Sequence, residues 1–179
     1  MLLMIGLVLG LAIGALRKGN FFRLGTLHGL WFAVISLVLD PVLHAVPDIS
    51  YWPKAILTTA CYLCVLLFIA ANRSAKLAAG FLATGTLCNY AVRAANAFRM
   101  PVSVKALDVY TGISAQEVFK KRADYFIADG KAKLLPLGDM IYLPFPGMKS
   151  FISIGDIFLS AGVCLLIIAI MGRGDKRKS

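Results

Sequence analysis

Histidine and acidic side chains are scarce in this chain. Its 179 residues include 19 Lys and Arg, nine Asp and Glu, and two His. A zinc centre normally draws on several His, Cys or carboxylate ligands. Only His44 falls near an acidic residue, Asp40, while His28 belongs to the opposite end of the same apolar block. A basic polar face interleaved with aromatics is also missing. Nucleic acid is therefore not an expected partner, despite a formal net charge of +10. Cys61, Cys64, Cys88 and Cys164 all fall inside apolar blocks, and Cys61-x-x-Cys64 has neither a second pair nor a nearby His. It reads as packing residues, not as a redox or zinc half-site. Thr58 stands where a lipoprotein-processing site before Cys61 would need Leu. Positive charge is missing before the first apolar run, with Arg17 and Lys18 coming after it. A cleaved signal peptide has the reverse order, so an uncleaved anchor with its N-terminus outside is expected.

Apolar residues are abundant instead, at 59% of the chain, against about 45–50% in soluble domains. They are gathered into long blocks, which predicts an all-α membrane protein with five transmembrane helices in a single integral membrane domain. The expected spans cover about residues 1–16, 25–46, 54–71, 76–98 and 151–171. An extracytoplasmic loop region, 99–150, separates helices four and five. Gly6, Gly10 and Gly14 recur every four residues and form a small-residue face suited to a close helix partner. Within the loop region, Ser114 and Glu117 have capping-box spacing for a short helix to about Ala123. Pro136, Pro144 and Pro146 keep the approach to the last span extended or looped. Arg17, Lys18 and Arg23, then Arg73 and Lys76, then the basic tail 173–178 mark one side as cytoplasmic. The expected location is a bacterial inner membrane, multi-pass, with the C-terminus in the cytoplasm and membrane lipids as partners.

Residues 137–162 hold two similar acidic cores, Leu137-Gly138-Asp139-Met140-Ile141 and Ile154-Gly155-Asp156-Ile157-Phe158. Their aspartates are 156 − 139 = 17 positions apart. A carboxylate opening an apolar run is costly and usually has a task. Two carboxylates ~3 Å apart cannot both ionise, so such a pair shares a proton. One then activates water while the other polarises a carbonyl, which hydrolyses a peptide without metal or cofactor. On the fourth helix Asn89, Arg93 and Asn96 share one face, and with Asp40 they are expected at the same outer depth as supporting or substrate-binding residues. Each residue also has a simpler use. Asp156 suits a helix N-cap, Asp139 a turn after Gly138, Asn89 and Asn96 interhelical hydrogen bonds, and Arg93 a headgroup contact or a pair with Asp40.

These motifs resemble those of the lipoprotein signal peptidases, aspartic proteases of the bacterial inner membrane. LGDMIYLPF is similar to the segment carrying that family's first catalytic Asp, and FISIGDIFLSAG to the segment carrying its second. Cys88-Asn89-Tyr90-Ala91-Val92-Arg93 looks like its Gly-Asn-x-x-Asp-Arg, and Leu39-Asp40-Pro41 like its first-helix Asp. Val92 and Ser153 stand where that family has Asp and Asn. The resemblance implies an aspartic endopeptidase with Asp139 and Asp156 as the catalytic dyad, acting on a membrane-anchored peptide or lipoprotein precursor. Met100-Pro101-Val102 with the paired Gly-Asp motifs also looks like a small uncharacterised family of bacterial multi-spanning membrane proteins. The alternative function is a non-enzymatic membrane protein that binds or transports a lipid headgroup, cation or small solute, or serves as an assembly subunit.

Overall fold

A computed structural model describes residues 2–45, 49–103, 124–128, 130–145 and 148–172. Helix α1 (Leu2–Leu16) is uniformly apolar, and its buried residues are Gly6, Gly10 and Gly14. It lies parallel to the last helix, α5 (Ile154–Met171). A Cβ on Gly6 would overlap the Ser160 carbonyl, and one on Gly10 would come within 3.0 Å of the Cys164 Cα. Only a missing side chain permits this approach. The Ser160 hydroxyl donates to the Leu2 carbonyl at 2.8 Å, fastening the start of α1 to α5. At the other end the Asn20 N–H donates to the Met171 carbonyl at 3.1 Å, satisfying a helix-terminal acceptor of α5. The small-residue face therefore does seat a helix, and that helix belongs to the same chain.

Helix α2 (Leu30–Ala45) follows a 3-10 turn at Phe21–Thr26 and packs antiparallel on α3 (Tyr51–Ala71). Asn72 fixes that pairing. Its Nδ2 donates to the carbonyls of His28 (2.8 Å) and Phe68 (2.9 Å), while its Oδ1 accepts from the His28 N–H at 3.1 Å. Helix α4 (Lys76–Ala95) runs back along α3, where the Thr59 and Tyr90 hydroxyls meet at 3.2 Å. It makes its main contact antiparallel to α5. Leu82, Ala78 and Ala75 join Ile69, Leu166 and Ile170 in one apolar core between α3, α4 and α5.

The described residues between α4 and α5 are not simply loop. Four strands, β1 (Met100–Val102), β2 (Tyr125–Ile127), β3 (Asp139–Phe145) and β4 (Met148–Ser153), form a sheet in the order β2-β1-β3-β4. β1 is parallel to both neighbours, and β3 and β4 form an antiparallel pair that feeds straight into α5. The runs Tyr125-Phe126-Ile127 and Ile141-Tyr142-Leu143 have the aromatic and β-branched character of strands. Pro101 is tolerated in the middle strand because its neighbours supply the donors, Met100 N to Asp124 O (2.7 Å) and Ser103 N to Asp139 O (3.0 Å). The short helix expected from Ser114 lies outside the described residues, as do Pro146 and the basic tail.

The expectation of five transmembrane helices in an all-α fold is also corrected. Five α-helices stand close to the expected positions, but among the described residues only α3 and α5 are long and apolar enough to cross a membrane. α1 has 15 residues, about 22 Å at ~1.5 Å per residue, short of a ~30 Å hydrocarbon core. The apolar part of α2, Leu30–Leu39, is shorter still. α4 is interrupted by Lys76, Thr84, Thr86, Asn89 and Arg93. Sheet and helices together make this a mixed fold.

Candidate functional site

The two acidic cores meet where the sheet joins the bundle. β4 ends at Ser153, which is wholly buried and caps α5. The Ser153 hydroxyl accepts from the Asp156 N–H at 3.0 Å, and an Asp156 oxygen, Oδ2, accepts from the Ser153 N–H at 3.0 Å. This reciprocal capping box satisfies two helix-terminal donors at once. It is completed from α4. Asn89 Nδ2 donates to Asp156 Oδ1 at 2.8 Å, and Ser153 Oγ donates to Asn89 Oδ1 at 2.9 Å. Ser153, Asp156 and Asn89 thus close a three-residue ring in which both carboxylate oxygens are engaged.

Glycines bring Asn89 within reach. A Cβ on Gly85 would come within 2.5 Å of the Gly155 carbonyl, and one on Gly155 would collide with the Asn89 side chain. The resulting close crossing of α4 and α5 sets the Asn89 amide directly against the first turn of α5.

Asp139, 2% exposed, opens β3 directly opposite Ser153 in the antiparallel ladder. Residues facing each other in such a pair carry their side chains on the same face, with Cβ atoms ~5 Å apart. The start of β3, which carries Asp139, therefore lies beside the start of α5, which carries Asp156, with a register irregularity between Asp139 and Ile141.

The other supporting residues go elsewhere. Arg93 pairs with Asp124 at 3.6 Å, and its guanidinium carbon lies 5.9 Å from the Tyr125 ring centre. Asn96 holds the chain after β2, accepting from the Lys133 N–H at 2.9 Å and donating to the Lys133 and Val92 carbonyls, each at 2.7 Å. Val92 is fully buried beside these residues. Asp40 and His44 belong to the last turns of α2, and their side chains lie outside the described residues. The polar face of the fourth helix thus serves three separate networks. The sequence marks Ser153 only as a departure from a family motif, and it does not single out Asp124 or Arg99. Ser153-x-x-Asp156 ahead of an apolar run is a readable capping signature, whereas Asp124 and Arg99 sit in no motif.

A family model matches residues 25–168, described as a family of unknown function (DUF5317). The chain belongs to that family. The DUF5317 segment runs from just before α2 to near the end of α5, so the ring, the sheet and the α4–α5 crossing all lie within it. This agrees with the expected membership of an uncharacterised family, while none of the comparisons supports the resemblance to lipoprotein signal peptidases. No curated protein and no solved structure matches the chain.

Proposed function

We propose that this DUF5317 member is embedded in a bacterial inner membrane and hydrolyses a membrane-anchored peptide or lipoprotein precursor. Asp139 and Asp156 would act as an aspartyl-peptidase-type acid pair. Embedding is supported by α3 and α5, and by large apolar side chains that the fold leaves outside, such as Met4, Val8, Trp31, Leu37 and Ile56. A water-exposed bundle would turn its apolar stripe inward. Arg17, Lys18, Arg23 and Arg73 sit at the end of the bundle remote from the sheet. The positive-inside bias then puts that end in the cytoplasm and the sheet outside.

The observation that supports the hydrolase reading is the pairing of Asp139 with Ser153, which brings the strand start carrying one aspartate beside the helix start carrying the other. Asn89 holds Asp156 in place, and Asp139 is buried. In this role one carboxyl takes the proton of an attacking water while the other protonates or polarises the scissile amide. Asp139→Asn and Asp156→Asn, each assayed on a membrane-anchored precursor in vesicles, should lose activity by at least about a hundredfold. Full activity in either variant rules the pair out.

A second reading has its own support. Both Asp156 oxygens are already engaged by the Ser153 N–H and the Asn89 amide, so Asp156 has a complete structural use. Under this reading the protein is a non-enzymatic binder of a cation or small solute through Asp139. A chain that binds in an Asp139-dependent way while leaving every precursor intact selects it.

A further inference from the structure

Among the described residues four non-glycine residues have a left-handed backbone, and three of them flank one contact. Ala97 (φ 53°) and Phe98 (φ 58°) follow the end of α4, and Leu134 (φ 52°) precedes β3. L residues adopt this conformation at a cost, and several together persist only where surrounding bonds hold them. The contact between them is that of Asn96 with Lys133. Asn96 caps the C-terminus of α4, where the Phe98 N–H closes back onto the Arg93 carbonyl at 2.7 Å. Its side-chain amide accepts from the Lys133 N–H at 2.9 Å and donates to the Lys133 carbonyl at 2.7 Å. Both polar groups of one backbone residue are thereby fixed to the end of a helix.

From Lys133 to Asp139 the chain is held at successive steps. The Leu137 N–H donates to the Leu134 carbonyl at 2.9 Å and the Gly138 N–H to the Leu135 carbonyl at 2.8 Å, closing a 3-10 turn over Leu135–Leu137. Gly138 is pressed on β1, where a Cβ would come within 2.6 Å of the Pro101 carbonyl. Asp139 follows, and its carbonyl accepts from the Ser103 N–H at 3.0 Å. A displacement of Lys133 is therefore passed on to Asp139. Asn89, 96 − 89 = 7 positions earlier on α4, about two turns, holds Asp156 directly. One helix thus carries an amide for each acidic core. We infer that Asn96 is the positioning residue of Asp139, acting through residues 133–138, as Asn89 is of Asp156. The inference rests on the acid-pair reading for its purpose, whereas its geometry stands without that reading.

Amide hydrogen exchange of the full chain in detergent, followed residue by residue by NMR, reads the positioning without any substrate. Asn96→Ala should speed exchange at the Gly138 and Ser103 N–H groups about tenfold, the equivalent of losing the bonds to Lys133. The Ser153 and Asp156 N–H groups should keep their native rates. Asn89→Ala should do the reverse. Asn96→Asp keeps the acceptor for the Lys133 N–H and should fall between Asn96→Ala and the native chain. On a membrane-anchored precursor in vesicles, Asn96→Ala should lower kcat about tenfold or more with KM unchanged, as misplacement of one acid would. Local acceleration in Asn96→Ala, where the native chain cleaves no precursor, removes the hydrolase reading and keeps the positioning of Asp139. Exchange at Gly138 and Ser103 unchanged in both Asn96 variants, or accelerated equally at Ser153 and Asp156, overturns the inference. An unaltered kcat in Asn96→Ala, where the native chain does cleave, overturns it too.

Discussion

Buried polar side chains in this chain act in closed sets, so removing one member exposes the others. Ser153→Ala removes an N-cap acceptor and the donor to Asn89 together. It should cost about 1–2 kcal/mol, read as a lower denaturant midpoint in detergent with helix content kept. Asn72→Ala should cost more, about 2–3 kcal/mol, because it strands a backbone N–H and a carbonyl of His28 at a part-buried helix junction. How far these sets were legible depends on the separation of their members. Asp156 stood out as an acid in an apolar run, and its cap is three positions away. Asp124 pairs with Arg93 across 124 − 93 = 31 positions, and nothing in the sequence near either residue points to the other.

Helices were easier to locate than strands for a related reason. A helix of 15 to 21 residues declares itself within one window of apolar sequence. β1 is three residues long, contains a proline, and is defined by partners near 125 and 139. The prolines and short runs of this sheet read as loop because strand pairing is non-local. The spacing of glycines was legible as a packing face, but not which helix it would meet. Two glycines of α4 and α5 test that packing in opposite directions. Gly155→Ala pushes a methyl into the Asn89 amide and should destabilise by about 1–3 kcal/mol, loosening the ring around Asp156 as well. A Cβ at Gly80, exposed and within α4, meets nothing within 4 Å. Gly80→Ala should therefore stabilise by about 0.5–1 kcal/mol through helix propensity. Thermal melts of the two variants in the same detergent check both signs.

The whole molecule is polarised along its helices. Turns rich in Arg and Lys gather at one end, and the sheet, the aspartates and the exposed aromatics Tyr51 and Trp52 gather at the other. The alternation of basic and non-basic turns was readable from charge alone, because it depends on the order of segments and not on their contacts. The number of helices long and apolar enough to cross a membrane was not, since it depends on helix lengths that end where caps and polar residues place them. α3 carries the sharpest test of this arrangement, because Ser50 caps its start and Ser74 lies just beyond its end, both exposed. With Cys61, Cys64, Cys88 and Cys164 replaced by Ala or Ser, Ser50→Cys should react with a membrane-impermeant maleimide on intact cells. Ser74→Cys should react only after permeabilisation. Labelling of both from the same side would mean that α3 does not cross, and the proposed outward placement of the aspartates would fall with it.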